Sequence, residues 1–94
     1  MVIGLLTLEL NIPAAQSLKD KRQVLKSVQA RLRNQFNVSV AEVGRHDSHQ
    51  NAVIAIVCVA ADSPYAQGLL TRAAVWVENT RLDCVLSDYQ IELM

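Results

Sequence analysis

From Val2 to Ile12 the chain alternates: Val2, Leu6, Leu8, Leu10 and Ile12 fall on one face, and Thr7, Glu9 and Asn11 on the other. A period of two predicts a half-buried strand, and Pro13 ends it. The period then lengthens. Leu18, Leu25, Val28, Leu32 and Phe36 follow the spacing of one helix face over five turns. Ser17 stands where its hydroxyl can cap that helix, and Asp20 completes an S-x-x-D capping box. After "NQFN" breaks the pattern, Val38 to Val43 and Ala52 to Ala60 read as two strands, joined by the polar, turn-rich "GRHDSHQN" of a hairpin loop. Asp62-Ser63-Pro64 opens a second helix, with Ser63 as the cap, Pro64 at the first helical position, and Ala66, Leu69, Ala73, Trp76 and Val77 as the inward stripe. The last strand runs from Cys84 to Leu93, with Val85, Tyr89, Ile91 and Leu93 on one side and Asp88, Gln90 and Glu92 on the other.

The order β-α-β-β-α-β is the split unit of ferredoxin-like folds. Right-handed crossovers then predict a two-layer α+β sandwich over a single domain, residues 1–94: a four-stranded antiparallel sheet with two helices on one face, strands one and three central. The third strand, "NAVIAIVCVA", is apolar on both faces, although the helices cover only one. Ile3 and Leu5 join the row from Val53 to Val59 in an uncovered apolar patch. Such patches mark interfaces. Ile3, Leu5, Val53 and Val57 are therefore the expected contacts of a homodimer.

Charge changes this picture more than composition does. Nine basic and nine acidic residues leave the chain neutral, yet Ser17 to Phe36 holds six cations against the single acid Asp20. That segment carries +5, and the remainder, with three basic and eight acidic residues, carries −5. Lys19, Lys21 and Arg22 crowd the first turn and a half of the helix, where unpaired N–H groups already make the backbone positive. Lys19, Arg22, Lys26 and Arg33 lie within about 60° of one another on the helical wheel, bordering the apolar stripe, while Lys21 points nearer the core at the sheet's margin. A row of cations along a helix suits a nucleic-acid backbone.

Motifs for chemistry are missing. Gly4, Gly44 and Gly68 are the only glycines, so there is neither a Walker loop nor a dinucleotide fingerprint. No serine sits in a nucleophile turn. Acylphosphatases share this topology but need a Gly-Arg-rich phosphate loop where this chain has "NIPAAQS". His46, Asp47 and His49 offer three metal ligands in the hairpin, one short of a structural zinc site, and a solvent-exposed polar loop accounts for them. The central strands lack the aromatics on which an RNA-recognition motif stacks bases. The expectation is a non-enzyme without metal or cofactor. "MVIGLLTLEL" lacks the basic start of a signal peptide, no run approaches the roughly 20 apolar residues of a membrane span, and Cys58 and Cys84 have no C-x-x-C spacing. These features predict a cytoplasmic protein with two reduced, buried thiols, away from membranes.

The stretch "SLKDKRQVLKSVQARLRNQFNVSVAEV" resembles the bacterial YlxP-like family of domains of unknown function. The family's S-L-K-x-K-R helix start is matched at Ser17, Leu18, Lys19, Lys21 and Arg22. Its R-F-N-V-S-V-A-E run is met from Phe36 to Glu42, with Gln35 for the Arg, and "YQIELM" resembles its Y-x-I-E-L end. The resemblance implies a ferredoxin-like fold, no established enzymatic activity and, through genes that neighbour translation factors, a ribosome-associated role. Many members of that family carry Trp, then Gln and Arg, in the hairpin before strand three. This chain has His49, Gln50 and Asn51, and so lacks the aromatic and the cation for holding a nucleotide there.

The expected function is binding of structured RNA, or of a ribosomal subunit, by the first helix, with Lys19, Lys21, Arg22, Lys26 and Arg33 on phosphates. The alternative is a homodimeric protein-interaction or ligand-sensing module without nucleic-acid binding.

Overall fold

The computed structural model describes residues 1–80 and 82–94. It contains β1 (Val2–Asn11), α1 (Leu18–Gln35), β2 (Ser39–Gly44), β3 (Asn51–Ala60), α2 (Ser63–Asn79) and β4 (Val85–Leu93). The sheet order is β2-β3-β1-β4, all neighbours antiparallel. With both helices on one face, this is the ferredoxin-like α+β sandwich.

Alternation places Leu6, Leu8 and Leu10 of β1 beside Ile56, Ile54 and Ala52 of β3, all buried. Against them pack Leu25, Val28 and Leu32 of α1 and Ala66, Leu70, Ala73, Ala74 and Val77 of α2. Burying each of these Leu or Ile side chains contributes roughly 1.5–3 kcal/mol. Helix α2 sits tight on β1 because position 4 is glycine: a Cβ there would lie 2.7 Å from Leu70 Cδ1 and 3.1 Å from Cys58 Sγ. The helices meet where Phe36 packs edge-on against Trp76, centroids 6.2 Å apart, with the Arg31 guanidinium 5.7 Å from the Trp76 ring centroid.

Three details depart from the sequence pattern. Asp62, not Ser63, caps α2: its Oδ1 accepts from the Tyr65 N–H at 2.9 Å. A carboxylate answers the positive end of the helix better than a hydroxyl does. In β4 the pairing passes from Glu9–Asp88 to Leu10–Leu86, so Ser87 is an extra residue and the strand changes phase there. Leu86 therefore turns inward with Ile91, while Val85 is exposed. Cys84 precedes the strand and is half-buried; Cys58 is fully buried, and both thiols are free.

Candidate functional site

Helix α1 begins as its capping box dictates. The Asp20 N–H donates to Ser17 Oγ at 3.1 Å, and Asp20 Oδ2 accepts from the Gln16 N–H at 3.0 Å, one residue upstream of the cap. The only acid on the helix is thereby engaged at its own terminus.

Past that cap the helix divides. Lys19, Arg22, Lys26 and Arg33 are exposed, and the row extends about 21 Å at 1.5 Å per residue. None of the four forms an ion pair among the described residues; Arg33 Nη2 donates to Gln29 Oε1 at 3.3 Å. Arg31 and Val24 mark the side of α1 that faces α2, the former over Trp76, the latter lining a groove shared with Glu78 and Thr80. The cationic row is thus turned the other way, toward the outer flank, where α1 overlies the edge strand β2.

Lys21 does not belong to that row. Only 1% of its side chain is exposed, and its Nζ donates to the carbonyls of Arg45 at 2.8 Å and Asn51 at 3.1 Å. Glu42 Oε2, itself buried, lies 3.2 Å away and pairs with the ammonium. On the helical wheel Lys21 falls between Val28 and Leu32, in the middle of the buried stripe. The expected phosphate contact is corrected: Lys21 is a strut between α1 and the β2–β3 hairpin. The signal was in the wheel position; the acceptors, two backbone carbonyls, leave no sequence signature.

That hairpin is held at further points. Gln50 Nε2 donates to the carbonyls of Pro13 and Ala15, both at 3.3 Å, and the Ile12 N–H donates to Gln50 O at 2.8 Å. The Asn51 N–H and Nδ2 both donate to Ser48 Oγ, and Asn11 Nδ2 reaches Asn51 Oδ1. Arg45, at φ 61°, makes the turn into the loop. His46, Asp47 and His49 are exposed at its tip, and among the described residues no group of three such side chains gathers as a metal-ligand set.

Acidic side chains gather elsewhere on the surface. A groove of about 710 Å³ opens beside the β1–α1 loop and the end of α2, lined by Asp20, Glu78, Asp83 and Cys84. Burial, with the Asp83 carboxylate adding to it, pushes the Cys84 thiol up from its ordinary pKa and suppresses the reactive thiolate. On the open sheet face Leu5 lies opposite Val57 and Ile3 opposite Val59, whereas Val53 lies farther along, beside Glu9.

The family model described as a protein of unknown function (DUF503) matches residues 3–91. The chain belongs to DUF503. A relative, the uncharacterized protein YlxP of Bacillus subtilis (strain 168), is 35% identical over 78 residues, covering 83% of this chain and 85% of that protein. Among solved structures, the de novo designed protein Foldit4 superposes on this DUF503 chain with a TM-score of 0.54, spanning 100% of it and 97% of Foldit4. At 11% identity that likeness speaks to the fold alone. No helix among the described residues is long and apolar enough to cross a membrane.

Proposed function

We propose that this DUF503 protein is a non-enzymatic binder of structured RNA, with the outer flank of α1 as its contact surface and a ribosomal subunit as the particle to test. The observation that carries the reading is the row of Lys19, Arg22, Lys26 and Arg33: four exposed cations on one side of one helix, without ion-pair partners among the described residues. Each phosphate such a cation neutralises releases counterions, which gives affinity without reading sequence. Lys21, engaged with Glu42 and two carbonyls, supports the surface from behind by fixing the helix to the hairpin. The carboxylate-lined groove and the acidic edge of the sheet repel a polyanion, so the molecule presents one face to it.

The test is a salt titration of binding to a folded ribosomal RNA fragment, with the parent and a Lys19→Ala/Arg22→Ala/Lys26→Ala variant. The parent's log affinity should fall linearly with log salt, and the variant should lose roughly one unit of slope per contact removed. Equal affinities and equal slopes would overturn the reading.

A second reading, a homodimeric protein-interaction module without RNA, is supported by the uncovered apolar sheet face. Material that copurifies with the protein and survives ribonuclease treatment would favour it.

A further inference from the structure

The sheet face turned away from the helices has no cover within the chain. Pairing registers lay its side chains in rows across all four strands. One row is Ser39, Val57, Leu5 and Glu92, and the next is Ala41, Ala55, Thr7 and Gln90. Beyond the first, Val59 pairs with Ile3, and Ile3 exchanges backbone hydrogen bonds of 3.0 and 2.8 Å with Met94. Val59 is 67% and Met94 68% exposed, so this end of the face is apolar and wet. The opposite end carries Glu9 beside Asp88. The four strands contain no Lys or Arg.

We infer that a second copy of this chain covers the face, the two sheets stacked with their two-fold axis parallel to the strands. Area argues for the second copy, and charge for the axis. Four strands spaced about 4.8 Å apart, with ten residues in the longest, give a face of roughly 600 Å² per protomer. Two such faces reach about 1,200 Å², the lower bound of specific, stable interfaces. Charge then selects the axis. An axis in the interface but perpendicular to the strands lays β4 on the partner's β4, setting acidic rows against each other and the apolar end against the polar end. An axis parallel to the strands lays β4 on the partner's β2, which has no charged residue on this face. Leu5 then stacks on the partner's Val57, the two apolar ends meet, the exposed ends with Glu9 and Asp88 also come together, and Glu92 faces the partner's Ser39, whose hydroxyl can donate to it. The contact is isologous and closes as a dimer.

Sedimentation equilibrium of the full chain across about 1–200 µM should show a reversible monomer–dimer transition, the affinity range of a small interface. Val59→Glu should weaken the dimer at least about tenfold, with an unchanged circular dichroism spectrum because the side chain already lies in water. Ser39→Lys should tighten it several-fold at low salt and lose that gain at high salt, since it meets the partner's Glu92. In the perpendicular arrangement Ser39 lies over the uncharged face of β2 of the partner, far from Glu92, and the same substitution leaves the affinity near the parent's. A Lys19→Ala/Arg22→Ala/Lys26→Ala variant should sediment as the parent does. A monomer at every concentration, which would leave the face to some other occupant, overturns the inference. So does a Val59→Glu dimer as tight as the parent's, and a Ser39→Lys dimer no tighter than the parent's at low salt overturns the axis.

Discussion

Lys21 and Lys26 stand five residues apart on α1 with the same charge, the first enclosed by Glu42 and two backbone carbonyls, the second in water with no ion partner among the described residues. Their positions on the helix separate them. The core claims the line of Val28 and Leu32, and a lysine on that line must find acceptors or remain uncharged. A lysine on the outer flank costs nothing in desolvation and stays available to an anion. A basic helix is therefore two systems, one holding the fold and one presenting charge, and substitutions should tell them apart.

The largest effect belongs to the enclosed lysine. Lys21→Ala leaves the buried Oε2 of the half-buried Glu42 without a counter-charge and two carbonyls without their donor, so urea denaturation should show a loss of about 3 kcal/mol. Pairing Lys21→Met with Glu42→Leu should recover the part of that loss due to charge, while the carbonyls of Arg45 and Asn51 stay without their donor. A Lys21→Ala protein as stable as the parent would erase the distinction.

Next is the hairpin that Lys21 holds. Gln50→Ala removes two hydrogen bonds to the β1–α1 loop and should cost about 1–2 kcal/mol in the same denaturation, with faster amide exchange in the loop. The second helix supplies a control. Asp62→Ala deletes its cap and should cost about 1 kcal/mol, whereas Ser63→Ala should change little. The smallest stability change belongs to the exposed row. Lys19→Ala, Arg22→Ala and Lys26→Ala should each stay within about 0.5 kcal/mol of the parent by thermal melting while lowering the salt slope of RNA binding.

The elements were legible because their periods, caps and breakers agree: alternation through Leu6, Leu8 and Leu10, Ser17 before a helical stripe, Pro64 inside the first turn of α2. The exposed cationic row was legible too, since a helical wheel needs no tertiary knowledge. What escaped depends on partners distant in the chain. Lys21 finds its carbonyls 24 and 30 residues away, and nothing local to "LKDKRQ" announces them. Read as a margin residue, its long aliphatic stem concealed a place in the core that the wheel already assigned. The phase change in β4 arises from an extra residue at Ser87 that only the β1 register exposes, so strict alternation groups Val85 with Ile91, whereas Leu86 shares that side and Val85 is exposed. The apolar row of β3 was legible, but that Val53 ends beside Glu9, away from Ile3 and Leu5, is again a fact of register.

Two of the three groups that meet the Lys21 ammonium are main-chain carbonyls, and they bracket the hairpin at Arg45 and Asn51. A grip on the main chain is indifferent to side-chain identity. His46, Asp47 and His49 can therefore be rewritten without moving the loop they decorate, which makes this tip a fixed pedestal for grafting short peptide epitopes onto the scaffold.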